Sequence, residues 1–228
     1  MKDDPTIVIL HGWGQDSTTW TKFIDIAQAK FKVLSLDLPG FGTEPLISDA
    51  WGIPEYATWV EDKIKQSKLS NIVLIGHSFG GRIGSYIAAE NPKWLKKLVL
   101  YGAPVIYRPS ISVQVKKWVA PKLKKLGLGF LKKFMGNKEL MEADEKSLGK
   151  IFRTIVTFDQ TERAKNISLP TLLLWGKNDT VVPLRIADEL KTIIPGSNLE
   201  VIPFGDHNIH IHNPHLFYGI VKKFIESD

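Results

Sequence analysis

No cysteine occurs anywhere in the 228 residues, which excludes disulfides, thiolate metal sites and a cysteine nucleophile. No apolar run approaches the roughly 18 residues a membrane-spanning helix needs. The opening Met1-Lys2-Asp3-Asp4-Pro5 carries no apolar signal region, so a cytoplasmic location is expected. No phosphate-binding or dinucleotide fingerprint is present, and no cofactor is expected. His207, His210, His212 and His215 lie close together, but their spacing matches no zinc signature, and no metal is expected.

Acidic residues are also missing from a lysine-rich stretch. Between Val105 and Met135 stand eight basic residues (Arg108, Lys116, Lys117, Lys122, Lys124, Lys125, Lys132 and Lys133) and no acidic one. The net charge of +6 is therefore local, because the other 22 basic residues face 24 acidic ones. A chain-wide basic face of the kind that tracks a phosphate backbone is absent, and nucleic acid is not an expected partner. Hydrophobic content of 43% and charged content of 24% are those of an ordinary globular chain, long enough for one substantial core.

Against these absences, the stretch from Asn71 to Arg82 stands out. The apolar run Ile72-Val73-Leu74-Ile75 leads into Gly76-His77-Ser78-Phe79-Gly80-Gly81, and a helical pattern follows. A serine bracketed two residues away by glycines, between a strand and a helix, is the form of a nucleophile elbow. Glycine lets neighbouring backbone pass close, and the helix N-terminus aims N–H groups at negative charge forming beside the hydroxyl.

Short apolar runs expected as strands lie at about 6–10, 31–36, 71–75, 97–101, 170–175 and 199–203. Helices are expected between them at about 17–30, 54–67, 79–90, 183–194 and 214–225. The alternation predicts an α/β fold, a doubly wound parallel sheet of about six strands, with sites at the strands' carboxyl ends. The run at 31–36 becomes a sheet edge, with Lys32 blunting it. The core is expected from 1–104 and 164–228, with 105–163 as a helical cap insertion. In that insertion Val115, Trp118, Val119, Leu123 and Leu126 share one side of a lysine-studded pattern broken at Pro121.

These motifs give the chain a resemblance to the α/β-hydrolases. Gly76-His77-Ser78-Phe79-Gly80 resembles their elbow, His11-Gly12-Trp13-Gly14 their oxyanion loop, and Asp37-Leu38-Pro39-Gly40-Phe41-Gly42 a loop common among them. Trp175-Gly176-Lys177-Asn178-Asp179 and Gly205-Asp206-His207 resemble their acid and base loops. The resemblance covers nearly the whole chain and is weakest between about 105 and 168. Relative to the family pattern, the chain lacks the first two strands.

The resemblance implies a Ser78, Asp179, His207 triad in the order this fold uses, with the backbone amides of Trp13 and Phe79 as oxyanion donors. His11 and His77 are expected to be structural, as is His210. Asp206 neighbours the base, and consecutive side chains diverge, so it is a poor orienting group. Trp118 and Phe130 are expected to line an apolar acyl site. The expected activity is that of a serine hydrolase, foremost a carboxylesterase cleaving small to medium esters. Thioester hydrolysis, carbon-carbon bond cleavage, lyase chemistry and acyl transfer are alternatives on the same triad, and a small-ligand receptor is the non-enzyme alternative. A serine at position 78, rather than an aspartate, speaks against dehalogenase and epoxide hydrolase chemistry.

Overall fold

The computed structural model describes residues 4–108 and 148–227. Their contacts divide the chain into two compact units. The larger takes its described residues from Met1–Ile47, Ile53–Ile106 and Asp159–Asp228; the smaller takes them from Ser48–Gly52 and Tyr107–Phe158. Trp118, Phe130 and most of the lysine-rich segment lie outside the described residues.

The larger unit is built on six parallel strands: β1 (Thr6–Leu10), β2 (Lys32–Leu36), β3 (Ile72–His77), β4 (Leu95–Tyr101), β5 (Thr171–Gly176) and β6 (Asn198–Ile202). Their spatial order is β2-β1-β3-β4-β5-β6, the doubly wound arrangement expected from the alternating pattern. β1, β3 and β5 are buried along their full length, which is why they read as continuous apolar runs rather than as alternation. β2 is an edge strand, as expected, with Lys32 exposed at its start.

Side-chain parity sorts the core into two layers. Ile7, Ile9, Val73, Ile75, Val99, Tyr101, Leu172 and Leu174 share one cluster with Trp20, Phe23, Phe217 and Val221. The last four belong to the segment leading into α1 (Thr21–Ala27), to α1 itself and to the closing helix (Pro214–Glu226), so these elements cover that face. The opposite face is covered by α3 (Phe79–Ala88), where Gly84 lies against Leu74 and Leu98. α2 (Ile53–Gln66) packs on α3 in turn.

Several boundaries differ from the sequence pattern for local reasons. Asp16 caps the first helical segment, its carboxylate accepting from Thr18 N–H, but the segment begins as a 3-10 turn at Ser17–Trp20. The α-helix then stops at Ala27 rather than near residue 30, its end closed by Phe31 N–H donating to the Ala27 carbonyl at 2.9 Å. β3 runs two residues further than expected, through Gly76 and His77. At the other end of the chain the Lys97 ammonium donates to the carbonyls of Phe224, at 2.9 Å, and Ile225, at 3.1 Å, completing orphan groups of the last helix.

In the smaller unit, the described helix Gly149–Thr157 buries Ile151, Phe152 and Ile155, and Lys150 pairs with Asp49 at 3.5 Å in solvent. Among the described residues no helix is long and apolar enough to cross a membrane.

α3 meets the end of β1 at a close approach. A Cβ on Gly80 would lie 2.2 Å from the Leu10 carbonyl oxygen, and Gly80 N–H donates to the His11 carbonyl at 3.0 Å. No flexible side chain can move aside there, because the obstacle is backbone. Gly80→Ala is therefore expected to destabilise by about 3 kcal/mol. A thermal melt should show this as a fall of ~6–12 °C in Tm; an unchanged melt would contradict the packing described.

Candidate active site

Ser78 follows β3 and precedes α3 in a backbone conformation of φ 48° and ψ −106°. A non-glycine residue so placed carries strain of order 1–3 kcal/mol, which the surrounding structure must hold. Its N–H donates to the Tyr101 carbonyl at 2.9 Å, continuing the β3–β4 ladder one residue past the strand. The Ser78 side chain does not cap the helix it precedes. Phe79, the first residue of α3, lies beside Trp13 of the loop after β1, their rings 5.4 Å apart and near perpendicular. Phe41 completes this aromatic group, 4.9 Å from Trp13.

The loop containing Trp13 is pinned from behind. His11 is fully buried; its Nε2 accepts from Leu38 N–H at 2.9 Å, and its Nδ1–H donates to the Gly12 carbonyl at 2.8 Å. Those two bonds fix a neutral tautomer, and burial lowers the His11 pKa below 6.5. Asp37 anchors the neighbouring loop by accepting from Ser17 N–H at 2.8 Å and Thr43 N–H at 2.9 Å. Desolvation works against its charge, yet the bonds from Thr43 and Ser17 prevail and its carboxyl is pushed down to about 2.

Asp179 lies in the loop after β5, and its side chain is only 1% exposed. One carboxylate oxygen accepts from Val181 N–H at 2.8 Å and Val182 N–H at 2.7 Å. The other accepts from His207 Nδ1–H at 2.7 Å. The loops carrying the pair are joined by backbone bonds from Lys177 N–H to the Ile202 carbonyl and from Asn178 N–H to the Gly205 carbonyl. With Nδ1 as donor, neutral His207 keeps a lone pair on Nε2. Asp206 turns away from its neighbour: it accepts from Asn208 N–H at 2.8 Å and pairs with the exposed His212 at 2.7 Å.

Gly102 sits against this pair with φ +53°, and a Cβ there would come within 3.0 Å of His207 Nδ1 and 3.3 Å of Asp179 Oδ2. Only a residue without a side chain allows β4 to end so close to the pair. The sequence pattern places Gly102 after a strand but carries no sign of this contact.

Beneath His207 lies a buried aromatic cluster. His77 is paired in register with Tyr101, and their rings stack at 4.5 Å. His77 Nε2–H donates to the His207 carbonyl at 2.9 Å, while its Nδ1 lies 3.0 Å from the Gln15 amide oxygen. His210, on the single-turn helix Ile209–His212, stacks on Trp20 at 4.1 Å. Burial, reinforced by the neighbouring histidines, drives His77 well below 6.5; burial pushes His210 down to about 3. Both are neutral parts of the core, as expected for His77 and His210.

Comparison with known proteins gives this arrangement a family. The profile of the α/β-hydrolase fold matches residues 5–142, and the chain belongs to that family. It is an enzyme of the hydrolase class. It is 27% identical to the pimeloyl-[acyl-carrier protein] methyl ester esterase of Wigglesworthia glossinidia brevipalpis, covering 97% of this chain and 93% of that protein. It is 29% identical to the putative esterase/lipase 2 of Mycoplasma genitalium, over 96% of this chain and 88% of that one. Among solved structures, the esterase EaEST of Exiguobacterium antarcticum superposes with a TM-score of 0.77 at 21% identity, covering 98% and 92% of the two chains.

The buried histidines make stability sensitive to pH in a definite direction. A histidine whose folded pKa is lowered is neutral in the fold but protonates in the unfolded chain below 6.5, so its stabilising effect is present above 6.5 and is lost as pH falls toward the folded value. Urea unfolding should therefore show stability declining below about pH 6.5. Replacing His210 with phenylalanine should reduce the slope between pH 6 and 4 by about 1.4 kcal/mol per pH unit. Equal slopes for the two proteins would mean that His210 protonates freely in the fold.

Proposed function

We propose that the protein is a carboxylesterase acting on small to medium esters through an acyl-enzyme on Ser78. The observations that carry this reading are the 2.7 Å bond from His207 Nδ1–H to the buried Asp179 carboxylate and the φ of 48° at the glycine-bracketed serine. Serine is a weak nucleophile at neutral pH and needs a base whose proton-accepting nitrogen is committed to it. Asp179 supplies that commitment by occupying the other nitrogen.

In the proposed reaction Ser78 Oγ bonds to the ester carbonyl carbon as His207 Nε2 takes the hydroxyl proton. The carbonyl oxygen becomes an anion, received by the backbone N–H groups of Phe79 and Trp13. The N-terminus of α3 adds its partial positive charge. As the tetrahedral species collapses, the carbon-oxygen bond to the alcohol breaks and the imidazolium returns the proton to the leaving oxygen. Water then repeats the sequence on the acyl-enzyme, with His207 again the base, and releases the acid. Asp179 holds the ring at Nδ1 and stabilises the imidazolium.

The names of the relatives support an ester substrate. One acts on a methyl ester of an acyl chain carried by a protein, and an enol-lactonase of Burkholderia xenovorans LB400 shares the fold with a TM-score of 0.78. Both names describe cleavage of a carbon-oxygen bond at an acyl group, the step the proposed geometry performs.

A panel of p-nitrophenyl esters of increasing acyl length tests the proposal. Wild type should turn over repeatedly on short and medium chains and label with a fluorophosphonate probe, and Ser78→Ala should abolish both. Asp179→Asn, which keeps the size of the side chain but no longer fixes the His207 tautomer, should lower kcat by about 10⁴. Labelling that persists in Ser78→Ala would place the nucleophile elsewhere; preference for thioesters over matched esters would move the chemistry to thioester hydrolysis.

A further inference from the structure

We infer that Tyr101 is a positioning residue that ties the nucleophile and the base to one rigid strand, through its carbonyl to Ser78 and its hydroxyl to His207. This inference rests on the proposed roles of Ser78 and His207. Tyr101 is the last residue of β4 and is fully buried. Its backbone carbonyl accepts from Ser78 N–H at 2.9 Å. Its hydroxyl donates to the His207 carbonyl at 2.7 Å and accepts from Ile209 N–H at 2.5 Å. One residue thus bonds to the backbone on both sides of the reaction, although 106 positions separate it from His207 along the chain.

The His207 carbonyl receives a second donor. His77 Nε2–H reaches it at 2.9 Å from the neighbouring strand, so the two lone pairs of that oxygen face donors from the carboxyl ends of β3 and β4. The base sits in a turn between β6 and a one-turn helix, and such a segment has little rigidity of its own. Asp179 fixes the ring at Nδ1, and Tyr101 with His77 fixes the backbone that carries it. Together these contacts hold both ends of the side chain.

The clamp is built to be neutral. Burial raises the Tyr101 pKa, keeping the hydroxyl protonated as a donor. Burial also keeps His77 uncharged, and its ring centroid lies 4.7 Å from that of His207. A cation at that distance would oppose formation of the His207 imidazolium. Packing alone does not require the oxygen. Tyr101 meets Trp20, Phe217 and His77 through its ring, and phenylalanine would make the same contacts.

Tyr101→Phe removes only the hydroxyl and tests this. Misplacement of a catalytic group by about 1 Å can cost about 100-fold, so kcat should fall ~10- to 100-fold with KM within about twofold. The rate of Ser78 labelling by a fluorophosphonate should fall by the same factor. A purely structural tyrosine would instead lower the melting temperature while the folded enzyme kept its kcat. His77→Gln and His77→Leu form a second arm, decisive if Tyr101→Phe does not fold. Glutamine offers an N–H in the place of Nε2 and should retain about tenfold more kcat than leucine. Wild-type kcat in folded Tyr101→Phe, or equal kcat in the two His77 variants, would overturn the inference. Failure of the wild type itself to turn over esters or label at Ser78 would instead remove the proposed function on which it rests.

Discussion

A parallel sheet delivers the carboxyl end of every strand to the same rim, and the candidate site depends on that constraint. β1 ends at the loop of Trp13, β3 at Ser78, β4 at Tyr101 and Gly102, β5 at the loop of Asp179, and β6 at the loop of His207. Apart from the neighbours Tyr101 and Gly102, these residues are distant along the chain and reach the same rim by way of the sheet. Bonds that extend the ladder past the strand ends, such as Ser78 N–H to the Tyr101 carbonyl and Gly80 N–H to the His11 carbonyl, carry strand rigidity into the loops. Pre-organisation of this kind is what lets donors meet developing charge without moving.

Four histidines meet at or beneath this rim, and environment rather than residue type separates them. His11, His77 and His210 are buried and held neutral by desolvation. His207 is the one among them whose ring nitrogen faces a buried carboxylate, at 2.7 Å. The three neutral rings serve as hydrogen-bonding and stacking elements that would lose their fit on protonation. The proposed base is thus surrounded by histidines that burial keeps neutral.

Much of the fold was legible because buried parallel strands are written as short apolar runs with few polar interruptions. β1 and the elbow strand are the clearest cases. The end of β3 was less legible: Gly76 and His77 read as loop residues, yet His77 pairs with Tyr101 as a full member of the ladder. The short helix Ile209–His212 left no trace, since one turn among alternating histidines and isoleucines has neither caps nor period. Glycine spacing pointed to Ser78, and loop position after the fifth and sixth strands pointed to Asp179 and His207. Neither Tyr101 nor Gly102 could be found that way. The contacts that single them out, Tyr101 with Ser78 and His207 and Gly102 with Asp179 and His207, join separate parts of the chain, and an apolar strand ending in tyrosine and glycine looks like any other strand end. Trp118 and Phe130, which fall outside the described residues, show the same limit from the other side: an amphipathic pattern says which side chains avoid water, not what they touch.

The central claim is that charge arising on a substrate oxygen is met by two backbone donors while one imidazole serves the Ser78 hydroxyl. A crystal structure of the protein after reaction with a small phosphonate ester tests it most directly, since the phosphonyl oxygen stands where the tetrahedral oxyanion would be. The expected result is phosphorus bonded to Ser78 Oγ, the phosphonyl oxygen about 2.7–3.1 Å from the N–H groups of Phe79 and Trp13, and His207 Nε2 within hydrogen-bond reach of Oγ. An adduct whose oxygen points away from both amides, or a phosphonate on any other residue, would contradict it.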